Sequence, residues 1–354
     1  MTVLTIDWIL LIEKLALIII IIFASLGIAL YTTFAERKVA AILQDRPGPN
    51  RAGPFGILQP LADGVKMFTK EEIIPTHANK WLFILGPGLA MVASLMTCAV
   101  IPWGGTIELF ERKINLQVAD VNIAILYIFA VVSLGIYGIM IGGWASNNKF
   151  SLMAVLRAAS QAISYELAMG LSLIAVLMIT GTLSLGEMVK QQQAGYWNIV
   201  YQPLGFLIFF ICALAECNRT PFDLPEAESE LNFGYHQEYS SMKLGFYLFA
   251  EYINMIMSSA VMATLYFGGY DIPFVDDAKL FTSIGNWAAL IQVAVILTKI
   301  VIFIFVFMWI RWTIPRFRYD QLMNLGWKKM IPLALFNMLI TAFIVLLKHN
   351  GWKF

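Results

Sequence analysis

Charged residues and cysteines are scarce in this sequence, and both scarcities limit what the chain can be. Only 13% of its 354 residues are charged, and the formal net charge is +1. A soluble domain is usually about one-quarter charged. No basic run alternates with aromatic residues, which argues against a nucleic-acid partner. The three cysteines, Cys98, Cys212 and Cys217, form no CxxC pair and have no histidine nearby. We therefore expect no bound metal and no iron–sulfur cluster on this chain.

Hydrophobic residues, by contrast, make up 59% of the chain, and the mean hydropathy is +0.74. They are grouped in repeated apolar stretches of about 20 residues, the length at which a helix crosses a bilayer. The pattern predicts an all-α, polytopic membrane protein with about eight transmembrane helices, in a single transmembrane domain over residues 1–354. The predicted spans are 8–34, 80–102, 119–142, 153–181, 203–217, 242–268, 288–311 and 330–348.

The basic residues are divided unevenly among the predicted loops. Most lysines and arginines fall in the first, third, fifth and seventh loops, whereas the other loops hold only Arg112, Lys113, Lys190 and Lys279. Basic loops face the cytoplasm in most membrane proteins. This asymmetry predicts that the odd-numbered loops are cytoplasmic and that both termini lie on the opposite side.

The first cytoplasmic loop is predicted over residues 35–79. Pro47, Pro49 and Pro54 exclude a helix from its first half. Residues 57–68 then place apolar side chains on one helical face and keep Asp63 and Lys66 away from it. That segment is too short to cross a membrane, so it is predicted to be a short amphipathic helix in the interface. A surface helix that only packs the spans together is the alternative.

A second informative loop, predicted over residues 216–242, carries five acids against one arginine near its start. Pro221 and Pro225 interrupt the helix that would otherwise space these acids. Carboxylates crowded at low dielectric raise one another's pKa, so they can hold protons near neutral pH and pass them on. An ordinary solvated acidic loop is the alternative. The charged residues are Glu216, Arg219, Asp223, Glu226, Glu228 and Glu230.

Several ionisable residues lie within the predicted spans or at their ends. Such groups are costly in lipid and indicate a polar path or internal ion pairs. They are Arg157, Glu166, Glu216, Glu251 and Lys299. Arg157 and Glu166 are about half a turn out of phase, so they cannot pair along one helix face. A purely structural ion pair of Lys299 with an acid such as Glu251 is the alternative to a polar path.

Six segments in order along the chain resemble the signature loops of a known family. They are AERK, DRPGPNRAGPFGILQPLADGVKMFTKEEIIP, GGWASNNKFSLMAVLRAASQAISYE, AECNRTPFDLPEAESEL, FAEY and IRWTIPRFRYDQLMNLGWKKMIPL. Over nearly its whole length the chain resembles the H subunit of bacterial respiratory complex I, equivalent to subunit 1 of the mitochondrial enzyme. Complex I is a proton-pumping NADH:quinone oxidoreductase. The resemblance implies a membrane subunit that forms part of the ubiquinone or menaquinone chamber and links quinone reduction to proton translocation.

The resemblance also implies roles for individual residues. It places Arg37, Asp63, Phe222 and Asp223 near the quinone. It places Arg157, Glu166, Glu216, Glu226 and Glu228 along an acidic path leading inward. Glu230, Glu251 and Lys299 are predicted to join that path because of their positions in the sequence. After Glu230 the sequence departs from the usual family pattern, and His236 is a candidate titrating group there.

No dinucleotide fingerprint, flavin site or cluster-ligand set occurs in the sequence. The chain is therefore expected to carry no redox cofactor, with quinone as its substrate and FMN and iron–sulfur clusters on partner subunits. The expected partners are peripheral quinone-site subunits, neighbouring membrane subunits and lipid. The expected location is a bacterial inner membrane, with both termini periplasmic.

Two alternatives remain open from the sequence. One is the related membrane subunit of a membrane-bound hydrogenase complex, which lacks a quinone role. The other is a free-standing ion-coupled transporter, in which Glu166 and Lys299 couple ions near the midplane. The large irregular loops on one side favour a docking surface for soluble partners over a transporter.

Overall fold

The computed structural model describes residues 8–109, 112–273 and 285–350. Within these ranges, seven helices are long and apolar enough to cross a membrane. The prediction of an all-α polytopic membrane protein is confirmed. The helices in chain order are α1 (Trp8–Leu43), α2 (Gln59–Thr69), α3 (Lys80–Met96), α4 (Ala124–Ala145), α5 (Lys149–Thr180), α6 (Leu185–Ala194), α7 (Asn198–Tyr201), α8 (Pro203–Glu216), α9 (Glu228–Leu231), α10 (Ser241–Tyr266), α11 (Trp287–Thr313), α12 (Tyr319–Asn324) and α13 (Ile331–His349).

Seven of the predicted spans correspond to these long helices. A 3₁₀ turn, Thr97–Val100, extends α3, and a π-helical segment, Leu325–Met330, joins α12 to α13. The remaining predicted span, 203–217, is α8, which has only 14 residues. At 1.5 Å per residue it is about 21 Å long, less than the bilayer's hydrocarbon thickness of about 30 Å. The apolar composition of this segment was predicted correctly, but its length is less than that of a complete span.

The first helix is longer than predicted. α1 has 36 residues and ends at Leu43, so the first nine residues of the predicted loop 35–79 are helical. A helix of this length measures about 54 Å and exceeds the hydrocarbon thickness. The polar end of α1, with Glu36 and Arg37, therefore continues as helix beyond the apolar run. Its charged side chains led to the prediction of a loop, although residues 35–43 contain no proline or glycine that would break a helix.

The smaller elements that were not predicted include a strand pair and α6. Strands β1 (Thr106–Leu109) and β2 (Arg112–Asn115) pair antiparallel, with Thr106 opposite Asn115. α6 follows α5 and is capped by Ser184, whose hydroxyl accepts a hydrogen bond from the backbone N–H of Glu187 at 3.5 Å. Both lie in loops that join spans and are too short or too polar to stand out by hydropathy.

α10 is the most buried span and α1 the most peripheral. In the most apolar stretch of α10, 72% of the residues are buried inside the protein, whereas in that of α1 only 6% are buried. Small residues allow α3 and α4 to pack closely. A Cβ added at Gly138 of α4 would lie 2.6 Å from the backbone nitrogen of Ala90 on α3, and one at Gly142 would lie 1.8 Å from the hydroxyl of Tyr247 on α10. Glycine at these positions brings three helices together, as is common in membrane bundles.

This close packing predicts that Gly138→Ala destabilises the protein. The new methyl group meets backbone, which cannot move aside as a flexible side chain would, and overpacking of this kind costs about 1–3 kcal/mol. Gly88→Ala on α3 is the matched control, because nothing lies within 4 Å of its added Cβ. Thermal unfolding of the purified protein should show a lower Tm for Gly138→Ala than for Gly88→Ala. Equal Tm values would contradict the close approach of α3 and α4.

Candidate functional site

A buried arginine lies at the centre of a charged cluster between α1, α8 and α10. The Arg219 guanidinium is 3.3 Å from Glu251 Oε2 and 4.0 Å from Glu36 Oε2. Its Cζ atom lies 4.3 Å from the ring centroid of Tyr252, whose hydroxyl donates to Glu36 Oε2 at 2.8 Å. The other oxygen of Glu36 pairs with Arg311. Buried charges require partners of this kind because desolvation of an isolated ion is very costly.

Four of the six signature segments supply this cluster. Glu36 comes from AERK at the end of α1, and Arg219 from the segment that follows α8. FAEY on α10 contributes Glu251 and Tyr252, and Arg311 lies in the last turn of α11. Glu251 was predicted from the sequence to belong to a site, but Glu36, Arg219 and Arg311 were missed as site residues. Their only signal was that each charge adjoins a long apolar run, where it needs a partner.

The inner part of the acidic loop packs against the same cluster. Glu226 Oε1 is 3.6 Å from His236 Nδ1, and His236 Nε2 is 3.9 Å from Glu251 Oε1. The hydroxyl of Tyr235 donates to Glu251 Oε1 at 2.8 Å. Asp223 lies in the same loop, and its Oδ1 is buried without a hydrogen-bond partner among the described residues. The loop therefore directs two carboxylates, Asp223 and Glu226, towards the interior.

Burial sets the protonation of these loop groups. Desolvation, reinforced by the negative charge of Glu226, raises the pKa of Asp223 to about 7 although Arg316 opposes it. Burial also favours a higher pKa for Glu226, but His236 when it is protonated, together with Arg219, outweighs it and holds the pKa below the usual value. Desolvation lowers the pKa of His236 to about 4, against the opposing effect of Glu226. Asp223, Glu226 and His236 therefore lie close together in one loop but have different pKa values.

The outer part of the acidic loop behaves differently. Glu228 and Glu230 lie on the one-turn helix α9 and are exposed. Glu230 Oε2 is 2.5 Å from the guanidinium of Arg157 on α5. Each interpretation of the loop therefore applies to part of it: the outer acids are on the surface, and the inner ones are enclosed. As expected, Arg157 does not pair with Glu166, whose Oε1 instead accepts a hydrogen bond from Ser133 at 2.9 Å.

Glu216, the last residue of α8, is connected to the cluster through small cavities. The residue is half-buried, and its Oε2 is buried without a hydrogen-bond partner among the described residues. Glu216 and Glu251 both line a cavity of about 20 Å³, large enough for one water molecule. Asn254 lines this cavity and also a more apolar one of about 40 Å³, which Glu216 shares. Space for water therefore lies between the two glutamates.

The proposed quinone residues fall into two groups. Arg37 on α1 donates to Asp63 Oδ2 at 2.7 Å, and Gln59 donates to Asp63 Oδ1 at 3.2 Å. This pair lies at the surface beside α2. Phe222, by contrast, is buried between the rings of Tyr165 and Phe317, at centroid distances of 5.4 and 5.6 Å.

Two adjacent residues of α1 connect the groups. Arg37 reaches Asp63 at the surface, and Glu36 reaches the buried arginine. The prediction of a short amphipathic helix is confirmed by α2, whose apolar residues Leu61, Val65 and Phe68 are exposed. An apolar face left exposed beside a membrane span suits contact with lipid tails or a partner.

Lys299 lies apart from the other residues of the predicted path. Its Nζ donates to the backbone carbonyls of Phe267, Gly269 and Asp271 at 2.7, 2.8 and 2.7 Å. These carbonyls follow the C-terminus of α10, about 22 Å along the helix from Glu251. An ion pair between Lys299 and Glu251 is therefore wrong. Unsatisfied carbonyls at a helix end attract a cation, which accounts for the placement.

The fold and site define a polytopic membrane protein with a buried ionisable network beside an amphipathic surface helix. A family model described as NADH dehydrogenase matches residues 15–342, and the chain belongs to this family.

The chain is also similar to curated proteins over almost their full lengths, all of them H subunits of NADH-quinone oxidoreductases. It is 65% identical to the H subunit numbered 1 of Cytophaga hutchinsonii, over 95% of this chain and 98% of the relative. It is 60% identical to the H subunit of Flavobacterium johnsoniae, over 96% of both chains. Identity to the H subunit numbered 1 of Geobacter metallireducens is 48%, over 94% of this chain and 97% of the relative. The family resemblance seen in the sequence is confirmed.

The raised pKa of Asp223 predicts a proton uptake that can be observed directly. Because that pKa is about 7, the carboxyl should bind a proton as the pH falls from 8 to 6, whereas an exposed aspartate titrates near about 3.9. Infrared spectra of the purified complex, wild type minus Asp223→Asn, should show the carbonyl stretch of a protonated acid growing across this interval. If the band grows only below pH 5, Asp223 is solvated and the enclosed geometry of the loop is wrong.

Proposed function

We propose that this chain is the H subunit of a proton-translocating NADH:quinone oxidoreductase, where it forms part of the quinone chamber and links quinone reduction to proton movement. The observation that carries the proposal is the pair of adjacent residues on α1. Arg37 binds Asp63 at the surface, and Glu36 binds the buried cluster. A change of charge beside the surface pair therefore acts on Arg37, and the next residue in the chain, Glu36, belongs to the buried cluster. The names and nearly full coverage of the relatives support the same function.

The surface pair suits the polar end of a quinone. A quinone offers two carbonyl acceptors on a ring and a long apolar tail. The exposed apolar face of α2 provides a surface for the tail. Asp63 lies on the same helix and is held by Arg37 and Gln59, so the headgroup meets charged donors and acceptors where α2 meets α1. Phe222 and Asp223 lie deeper and would respond to changes in the chamber.

Quinone reduction consumes two electrons and two protons, and groups in the chamber that give up those protons change their charge. Clustered carboxylates respond to such a change by exchanging protons, because each depends on the charge of its neighbours. The path we propose runs from Asp223 and Glu226 in the loop to Glu251, and then through the water-sized cavity to Glu216. It continues towards Glu166. Arg157, Glu228 and Glu230 form its outer surface, and Lys299 lies beyond its inner end.

Partner subunits would supply what this chain does not carry. Electrons would reach the quinone from FMN and iron–sulfur clusters on those partners, because the sequence offers no motif that binds them. The docked peripheral subunits would cover the loops on the basic side, and other membrane subunits would adjoin the spans. The uneven distribution of basic residues supports a bacterial inner membrane with both termini on the periplasmic side.

Asp63→Asn tests the quinone role. The change removes the charge that Arg37 binds but keeps the size of the side chain. The pair is partly exposed, with 51% of the Arg37 side chain accessible, and an exposed ion pair contributes about 0.2–1 kcal/mol, which corresponds to up to about fivefold. We therefore expect NADH:quinone turnover or quinone affinity to fall by up to about fivefold. Reduction of a hydrophilic acceptor, which needs only the upstream partners, should stay at the wild-type rate.

Glu71→Gln is the matched control, an exposed acid two residues beyond the end of α2. It should leave both activities unchanged. Equal loss of both activities in Asp63→Asn would indicate defective assembly, and wild-type quinone turnover in an assembled complex would count against Asp63 in the chamber.

A further inference from the structure

We propose that His236 is a relay residue whose imidazole carries protons between Glu226 of the acidic loop and Glu251 of α10. The inference rests on the proposed function and adds a group to it. It assigns the transfer from loop to membrane span to a ring whose two nitrogens face two different carboxylates.

The imidazole of His236 lies between the carboxylates of Glu226 and Glu251. Nδ1 lies 3.6 Å from Glu226 Oε1, and Nε2, on the other side of the ring, lies 3.9 Å from Glu251 Oε1. The side chain is fully buried, and neither nitrogen has a hydrogen-bond partner among the described residues. Leaving a buried polar group unsatisfied costs about 1–3 kcal/mol. A histidine that served only for packing here would therefore make the fold less stable than an apolar ring at the same position.

Backbone packing fixes the ring in this position. Gly234 has a φ of 58°, and a Cβ there would lie 1.8 Å from the carbonyl oxygen of Pro225. The turn that carries His236 is thus pressed against the residue before Glu226. Ser151 of α5 donates to the Gly234 carbonyl at 3.2 Å. The ring of Tyr235 lies 3.8 Å from the imidazole, centroid to centroid.

The surroundings keep the imidazole neutral. Ionisable groups face it from the loop, from the segment after α8 and from α10: Glu226, Arg219, Tyr235, Glu251 and Tyr247. Burial lowers the pKa of His236 to about 4, although Glu226 opposes this. A neutral imidazole has one nitrogen that donates and one that accepts. It can therefore receive a proton on one edge while it releases another from the opposite edge.

The transfer balances without any further reactant. Glu226 is ionised at rest and first receives a proton from the loop side; its O–H bond then breaks and an N–H bond forms at Nδ1. The N–H bond at Nε2 then breaks, and an O–H bond forms on the Glu251 carboxylate. The ring begins and ends neutral, with its hydrogen moved from Nε2 to Nδ1, so it must turn or exchange tautomers before the next transfer. Hydrogen bonds measure about 2.7–3.2 Å, so each transfer requires closure of under about 1 Å or one bridging water.

The same three side chains also resemble a cation site of one histidine and two carboxylates, with ligand atoms within 4.8 Å of one another. Glu226 and Glu251 also contact each other, so direct proton exchange between them is a competing path. One observation favours the relay over the cation site. The positive charge of Arg219 lies 3.3 Å from Glu251 and would repel a metal ion. The test therefore treats a bound metal as an outcome against the relay.

His236→Gln in the assembled complex tests the proposal, because an amide keeps polarity and approximate size but cannot take up a proton and release another. General acid–base groups contribute roughly 10²–10⁴-fold to the reactions they serve. We expect NADH:quinone turnover to fall at least about tenfold and its solvent deuterium isotope effect to rise, as proton transfer becomes rate-limiting. Reduction of a hydrophilic acceptor should be unchanged. His77→Gln, an exposed histidine, is the matched control and should behave as wild type in all three measurements.

The outcomes separate the relay from the function on which it rests. Wild-type turnover and isotope effect in His236→Gln, together with impaired turnover in Glu226→Gln, would overturn the relay and leave the proposed function standing. Wild-type behaviour of both variants would count against the acidic path itself. If His236→Gln does not assemble, the smaller His236→Asn replaces it, and failure of both to assemble would mark the histidine as structural. A metal ion bound to the wild-type complex beyond the iron of its clusters, and absent from His236→Gln, would also overturn the relay.

Discussion

The burial of Arg219 is the constraint on which the rest of the structure depends. Its guanidinium lies inside the bundle and is balanced by Glu251 on α10 and Glu36 on α1. Removing one partner of a buried ion pair costs about 3–5 kcal/mol, because the other charge is left uncompensated. The arginine therefore fixes where α1 and α10 lie relative to the acidic loop. Its charge also acts on Glu226, which the loop directs inward.

This arrangement explains how a surface event and a buried network can be connected without a long chain of contacts. The polar end of α1 carries two neighbouring charges, one directed to Asp63 on α2 and the other to Arg219 and Arg311. Coupling between sites needs an element whose state both sites influence. The end of α1 contacts both sites, so a change in the charge of Asp63 alters the field at Glu36 over a short distance.

Hydropathy predicted the spans well because a run of about 20 apolar residues has few other uses. Hydropathy failed where charged residues lie within a helix, as at the end of α1, and where polar elements are short, as in β1, β2 and α6.

The site was harder to predict than the spans. The sequence showed that Glu216, Asp223, Glu226 and Glu251 were unusual, but not that Glu226 is enclosed while Glu228 is exposed, because the direction of each side chain depends on backbone turns in the loop. Glu36, Arg219 and Arg311 were missed because each contacts partners far away in the chain, and a single sequence does not reveal such pairs. Lys299 looked equivalent to the other buried charges, yet the carbonyls after α10 hold it elsewhere.

The most direct test of this account is a double-mutant cycle between Arg219 and Glu251, with the Tm and the NADH:quinone turnover of the purified complex measured for each variant. Arg219→Gln alone should lower the Tm, because it leaves Glu251 buried without its cation. Arg219→Gln combined with Glu251→Gln should recover much of the Tm, because no unpaired charge remains between these two positions and Glu36 keeps Arg311. The double variant should nevertheless stay impaired in quinone turnover, since it lacks a titrating carboxylate. Additive losses of Tm, or a wild-type Tm for Arg219→Gln, would contradict the claim that this buried pair organises the structure.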